Sequence, residues 1–534
     1  MENSDDLLKK ENSKILNWLK NPYNFFIVGL FILIIIIRFY YFFITKNQPI
    51  WWDESQYMSE AKNIAGLVKY NLTGPRFPFY PLAMSMFFFL DIKNEIIMRF
   101  LALLIPSLLV IAMVYFCIRQ MYNDKKIAAI STAIAAFLWE NLFYSNRFQT
   151  ENPSLLFQLI GIFIFFKCFV KKEDFLFIKS KYSLLWIILF SGLGVLLRPG
   201  TIMAMPALAL FIIYLNKDKI LTKKGIIVSI IFIALIIISL IYAPKIPYVK
   251  PFIDYFWHPE NPIAWNTFTV FYGFYQSVIS PIPAILFYCF LIGIILVIIN
   301  MIIGYEKLKN LKVGKEELEL KSDIFNLLTI ISVLFIFLFL IRSPTFEYRW
   351  YFPLLIAMLA FTAYGIVKIS EFVLSLIGIK DKKIILVLII IITILGAYNQ
   401  LVHSDQIIKY KITSYEQVKD AGLWLYQNSN KNDIIISASQ PQITYYSERF
   451  TMDFYINGSL ANESEFDKEI NQYKPKYFLL DGFQQDFTPK WAYNWPLIHN
   501  DTVIPVMEYF FDQEQKQPAI VIYKINYNNQ NIFK

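Results

Sequence analysis

Phe25-Phe26-Ile27-Val28-Gly29-Leu30-Phe31-Ile32-Leu33-Ile34-Ile35-Ile36-Ile37 is a run without a single charge, and similar runs return at Ile226–Tyr242, Ile285–Ile303, Phe325–Ile341 and Ile384–Ala397. A helix rises 1.5 Å per residue, so about 20 apolar residues cross the roughly 30 Å hydrocarbon core of a bilayer. A soluble helix would interleave polar positions to make a continuous wet face; these runs form no such face. Composition agrees. Hydrophobic residues make up 56% of the chain and charged residues 17%, against about 25% charged in an average soluble domain. The fold class expected is therefore an α-helical polytopic membrane protein. Its first run begins late and lacks a small-residue cleavage site, so it stays as a spanning helix and is no signal peptide.

About eleven spans are expected, near 25–45, 96–118, 127–145, 153–170, 183–197, 201–215, 225–244, 281–303, 324–342, 350–367 and 384–402. With the N-terminus cytoplasmic, the inside segments collect 25 lysines and arginines and the outside loops 11. That bias is the positive-inside pattern. It implies a multi-pass protein of the cell membrane with an extracytoplasmic C-terminal domain. Phe77–Leu90 is apolar but short and carries Pro78 and Pro81. Crossing there would invert every later loop, so a juxtamembrane or re-entrant segment is expected. The net charge of +9 comes from lysines between the apolar runs, where topology accounts for them and nucleic acid need not. Cys117, Cys168 and Cys289 all lie in apolar segments, with neither disulfide nor zinc spacing.

Two domains follow: residues 1–402 in the membrane and 403–534 as a small α/β domain. The tail has ordinary charge, a helical stretch at Tyr415–Asn428, and strand-like runs at Ile434–Ala438, Tyr477–Leu480 and Ala519–Ile525. The sequons at Asn71, Asn457, Asn462 and Asn500 all fall on the expected outside.

Ionisable groups beside the membrane are functional candidates by default, and here they gather in the outer loops. The first loop opens Trp51-Trp52-Asp53-Glu54-Ser55-Gln56-Tyr57, with Arg76 and Arg99 further on. The next contains Asn146-Arg147-Phe148-Gln149-Thr150-Glu151-Asn152-Pro153, and a late one Arg342 to Pro353. A carboxylate can take a proton from an acceptor hydroxyl, and guanidinium groups hold a phosphate bidentately. Each residue alone has a plainer role, as a helix cap or a headgroup anchor. Their convergence on one membrane face favours chemistry.

The ordered set resembles glycosyltransferase family 39 of the GT-C superfamily, which includes protein O-mannosyltransferases and the lipid A aminoarabinose transferase. The resemblance covers about the first 370 residues. It rests on Asp53-Glu54 with Tyr57, the step Arg76-Phe77-Pro78-Phe79-Tyr80-Pro81-Leu82, and Met98-Arg99-Phe100. Asn146-Arg147 with Glu151-Asn152-Pro153 follows, and then Arg349-Trp350-Tyr351-Phe352-Pro353. The departures are Glu151 where Asp is commoner, Trp350 where Tyr is commoner, and no lysine or histidine in the proline step.

The resemblance implies a sugar donor linked to polyprenyl phosphate, a hydroxyl acceptor on a protein, lipid or glycan, and inversion at the sugar. It implies Asp53 as base, Glu54 as a brace or acceptor-orienting group, and Glu151 as a second carboxylate holding acceptor or an optional divalent cation. Arg99 and Arg349 would bind the donor phosphate, with Arg147 and Arg76 as further candidates. Tyr57, Trp350 and His258 would line the acceptor cavity. In one branch of the family a histidine so placed ligates a metal together with a carboxylate, a role His258 would share, although no spacing marks it and a single histidine is more often structural. Tyr445-Tyr446-Ser447-Glu448-Arg449 is similar to tails of other members and implies a scaffold or acceptor-recognition role. A transporter or lipid flippase is the competing class, expected to show internal repeats and charges at mid-membrane depth. An oligosaccharyltransferase would carry Trp-Trp-Asp in its soluble domain, whereas Trp51-Trp52-Asp53 lies in the first outer loop.

Overall fold

The computed structural model describes chiefly residues 22–70, 76–220, 284–308, 315–341, 348–456, 458–512 and 516–527, with scattered residues between 222 and 254. Backbone contacts divide the chain into two compact units. The first comprises residues 1–43, 100–146 and 150–409; the second comprises 44–99, 147–149 and 410–534.

The first unit is helical. Among the described residues of the chain, eight helices are long and apolar enough to span a bilayer: Asn24–Thr45, Glu95–Tyr122, Glu151–Val170, Ser180–Leu197, Ile285–Ile303, Glu316–Phe339, Tyr348–Leu376 and Lys382–Asn428. Each matches an expected span. The stretch expected at 127–145 divides instead into Lys125–Phe137 and Trp139–Tyr144, separated by Leu138, whose ψ of 123° is not helical. Its first piece is rich in alanine and buried from Ile127 to Phe137. Small side chains suit a helix surrounded by protein, because they let neighbouring backbones approach. The 201–215 span is a short turn, Pro199–Ala204, leading into the helix Met205–Leu215. The 225–244 span lies largely outside the described residues.

Close helix approach is clearest at Gly293 and Gly365. A Cβ on Gly293 would strike the Phe361 carbonyl, and one on Gly365 the Cys289 carbonyl. The helices Ile285–Leu308 and Leu355–Leu376 therefore touch backbone to backbone, an arrangement only glycine permits at both positions.

The second unit combines the first long loop with the tail. Trp52–Ile64 is a helix, and Phe79–Phe89 is another of 11 residues. Eleven residues reach only about 17 Å, too short to cross a bilayer, as the two prolines lead one to expect. The tail forms strands β1 (Ile435–Ser437), β2 (Thr451–Met452), β3 (Tyr455–Ile456), β4 (Ser459–Leu460), β5 (Tyr477–Asp481), β6 (Val503–Phe510) and β7 (Pro518–Ile525). One sheet has the order β2-β1-β5-β7-β6, with β2, β1 and β5 parallel and β7 and β6 antiparallel. The three expected strands are β1, β5 and β7. The run forming β6 was not among them: Pro505 interrupts it, and a bulge follows between Pro505 and Met507, which an edge strand tolerates.

Within this unit the helix Trp52–Ile64 packs on the helix Gln440–Ser447. Ser59 Oγ donates to the Pro441 carbonyl at 2.8 Å, and the Ile50 amide donates to Tyr446 Oη at 2.8 Å. Lys62 Nζ donates to both the Tyr445 carbonyl and Glu448 at 2.8 Å. Arg449 closes the ends of two helices through the carbonyls of Tyr426, Ser429 and Ser447. The Tyr445–Arg449 segment thus holds the first loop as well as its own domain.

Candidate active site

In the second unit the paired carboxylates have different surroundings. Glu54 lies in the first turn of its helix and is fully buried. It accepts the Trp51 amide at 2.7 Å, closing back on the helix start. It also accepts the Phe148 amide at 2.6 Å and meets Arg147 Nη1 at 3.4 Å. Arg147 in turn stacks on the Trp51 ring, 3.7 Å from its centroid, and donates to the Lys411 carbonyl at 3.4 Å. A buried carboxylate is tolerable only with this many partners.

Asp53 keeps 26% of its side chain exposed and pairs with Arg76 at 2.6 Å. Burial alone would weaken the Arg76 guanidinium, but Asp53 and then Tyr57 outweigh it and raise its pKa. Arg76 also sits over the Tyr57 ring, which meets Tyr80 edge to face at 5.3 Å. Arg99 is buried, donating to the Gln48 carbonyl at 2.8 Å, pairing with Glu95 at 3.7 Å and lying over the Phe148 ring. The structure therefore brings Asp53, Glu54, Tyr57, Arg76, Arg99 and Arg147 into one unit. Asp53, Tyr57 and Arg76 are its partly exposed members.

Glu151, Arg349 and Trp350 belong to the other unit. Glu151 opens the helix Glu151–Ile164 and is 2% exposed. It pairs with Arg198 and, at 3.6 Å, with Arg349. Arg198 Nη2 also donates to the Arg349 carbonyl at 2.9 Å. On the same two segments, Ser154 and Thr201 are 2.6 Å apart, with Ser154 donating to the Gly194 carbonyl. Two guanidinium groups face one carboxylate, which leaves a net positive charge suited to an anion. Trp350 stacks on Phe337. Arg198 was missing from the expected set. The signal for it was present in Leu197-Arg198-Pro199-Gly200, an arginine closing an apolar run. His258 lies outside the described residues. Among the described residues no group of three or more histidine, cysteine, aspartate or glutamate side chains is placed to hold a metal ion.

This architecture is found in solved structures. ArnT from Cupriavidus metallidurans in the apo state superposes with a TM-score of 0.57 at 11% identity, covering 93% of this chain and 97% of ArnT. Its complex with undecaprenyl phosphate gives 0.56 at 10% identity over the same shares. The archaeal oligosaccharyltransferase AglB from Archaeoglobus fulgidus, in complex with an inhibitory peptide and a dolichol-phosphate, gives 0.56 at 13% identity, covering 94% of this chain and 74% of AglB. The chain is thus a multi-pass membrane protein that shares its fold with ArnT and AglB. Residues 74–242 in particular match the family model of dolichyl-phosphate-mannose-protein mannosyltransferase. No protein of curated function matches the chain by sequence.

Proposed function

We propose that this protein transfers a sugar from a polyprenyl-phosphate donor to a hydroxyl of a protein, lipid or glycan acceptor at the outer face of the membrane. The observation that carries the proposal is the division of labour between Asp53 and Glu54. Glu54 is committed to holding the chain, whereas Asp53 is open to an incoming group and is held by Arg76. A cation beside a carboxylate favours its ionised form, the form a base needs.

In the reaction proposed, the acceptor hydroxyl gives its proton to Asp53 as its oxygen bonds the anomeric carbon. The bond from that carbon to the phosphate oxygen breaks, and its electrons leave with the polyprenyl phosphate. One displacement inverts the centre. Arg349, joined by Arg198, is the first choice for neutralising the phosphate, because these two arginines share one carboxylate. Arg99 and Arg147 are committed to protein partners and are proposed to position the loop. The domain division at 402 and the extracytoplasmic tail are part of the same proposal, supported by the lysine bias of the loops.

The test is sugar transfer in membranes from radiolabelled polyprenyl-phosphate sugars, with wild type and Asp53→Asn compared at equal insertion. Loss of transfer in the variant supports both the activity and the base. If wild type moves lipid across the bilayer and transfers no sugar from any donor, a transporter replaces this reading.

A further inference from the structure

The sheet of the second unit carries a recess that none of the roles above uses. It holds about 310 Å³ and is lined by Trp52, Gln56, Ala438, Gln440, Asp453, Tyr455 and Phe487. Its position follows from topology. Ala438 and Gln440 come just after β1, Asp453 just after β2, and Phe487 from the segment leaving β5. These are the carboxyl ends of the three parallel strands, the edge of an open α/β sheet where ligands bind. Trp52 and Gln56 complete the lining from the loop helix, flanking Asp53 on the chain.

The chemistry of the lining is mixed. Trp52 and Phe487 stack at 5.2 Å with 20° between their planes, and Tyr455 lies 6.3 Å from Phe487. Phe487 and Tyr455 remain 41% and 39% exposed, an aromatic surface in contact with water. Two amides and a carboxylate share the space, and burial raises the Asp453 pKa. Its backbone support is firm: the Ser439 amide donates to Asp481 at 3.2 Å, and Asp453 accepts the Tyr455 amide at 3.0 Å.

We propose that this recess binds a sugar ring of the acceptor, so that the acceptor is a glycan or glycolipid. A pyranose has an apolar C–H face that covers aromatic rings, and hydroxyls around its edge that pair with amide and carboxylate groups. The volume is at the lower end of the roughly 300–1,000 Å³ usual for small-molecule sites, enough for one or two rings. A protein acceptor would instead offer a peptide backbone, for which an exposed strand edge or groove is the ordinary receiver. The inference deepens the transferase proposal and rests on it for the word acceptor; the binding itself needs no donor.

The experiment is saturation-transfer NMR on the full chain in lipid nanodiscs without donor. The probes are methyl α-mannopyranoside, methyl β-glucopyranoside and methyl β-N-acetylglucosaminide, with a serine- and threonine-containing peptide as the contrast. At least one glycoside is expected to saturate below about 100 mM, with affinity lowered about tenfold or more in Phe487→Ala and in the isosteric Asp453→Asn. Binding is read without donor and without any transfer step, so a failed transferase and a failed recess are told apart. Absence of glycoside binding to wild type overturns the proposal. So does binding that both recess variants leave unchanged, or peptide that competes for the same variants' site.

Discussion

Glu54 Oε1 accepts the Phe148 amide hydrogen at 2.6 Å across 94 residues of sequence. That bond ties the loop after the first helix to residues 147–149, and it explains why one of two adjacent acidic residues is withdrawn from solvent. Removing the carboxylate takes one partner at once from Arg147 and from the amides of Trp51 and Phe148. Glu54→Ala is expected to cost about 3–5 kcal/mol, and Glu54→Gln less, because an amide oxygen still accepts. Thermal unfolding in nanodiscs checks the order wild type, Gln, Ala; equal midpoints would show that Glu54 is not a brace.

Asp53→Asn removes a base without removing shape. A loss of about 10²- to 10⁴-fold in transfer is expected, with thermal stability changed little because the pair with Arg76 is partly exposed. Steady-state transfer assays beside a melting curve separate the two. A variant that melts early and transfers poorly would assign Asp53 to structure.

Arg349→Ala should act on the donor. Its guanidinium is the more loosely paired of the two at Glu151, so about a tenfold rise in donor KM is expected, the worth of roughly 1.4 kcal/mol. Arg349→Lys should recover part of it, since the charge returns without the bidentate fork. Varying donor concentration in the transfer assay decides; an effect on kcat alone would contradict phosphate binding.

Gly365→Ala tests the backbone contact with Cys289. The added methyl meets a carbonyl oxygen rather than a flexible side chain, so the helices must separate. A cost of about 1–3 kcal/mol is expected for such overpacking. Gly192→Ala, where a Cβ meets nothing within 4 Å, is the control and should melt like wild type.

Asp481 predicts a pH dependence. Burial raises its pKa above 3.8, against the opposing bonds from Gln484, Ser439 and Phe483. The folded state then holds the proton where the unfolded state has lost it. Stability should fall as pH rises from 3.8 through the folded pKa, and flatten above it. Asp481→Asn should remove that slope while its side-chain oxygen keeps an acceptor for the amides. Melting temperatures across acidic pH measure the difference.

The membrane class, the position of most spans and the tail's change of character are legible in local stretches of the chain. Those features are local: uncharged runs such as Phe25–Ile37 must leave water wherever they sit, and alternating strands with helices mark a sheet. The sequence also pointed to Asp53, Glu54, Glu151 and the arginines as candidates, because charge beside such runs is costly and seldom idle. It could not divide the roles of Asp53 and Glu54, which are neighbours of identical chemistry. Only tertiary structure does that, since burial of Glu54 depends on an amide 94 residues away. The pairing of Arg198 with Glu151, the meeting of Gly293 and Gly365 with opposing carbonyls, and the recess at the strand ends were decided there too. In each, the groups are distant in the chain, and their energetics follow from proximity and exclusion of water that no local pattern encodes.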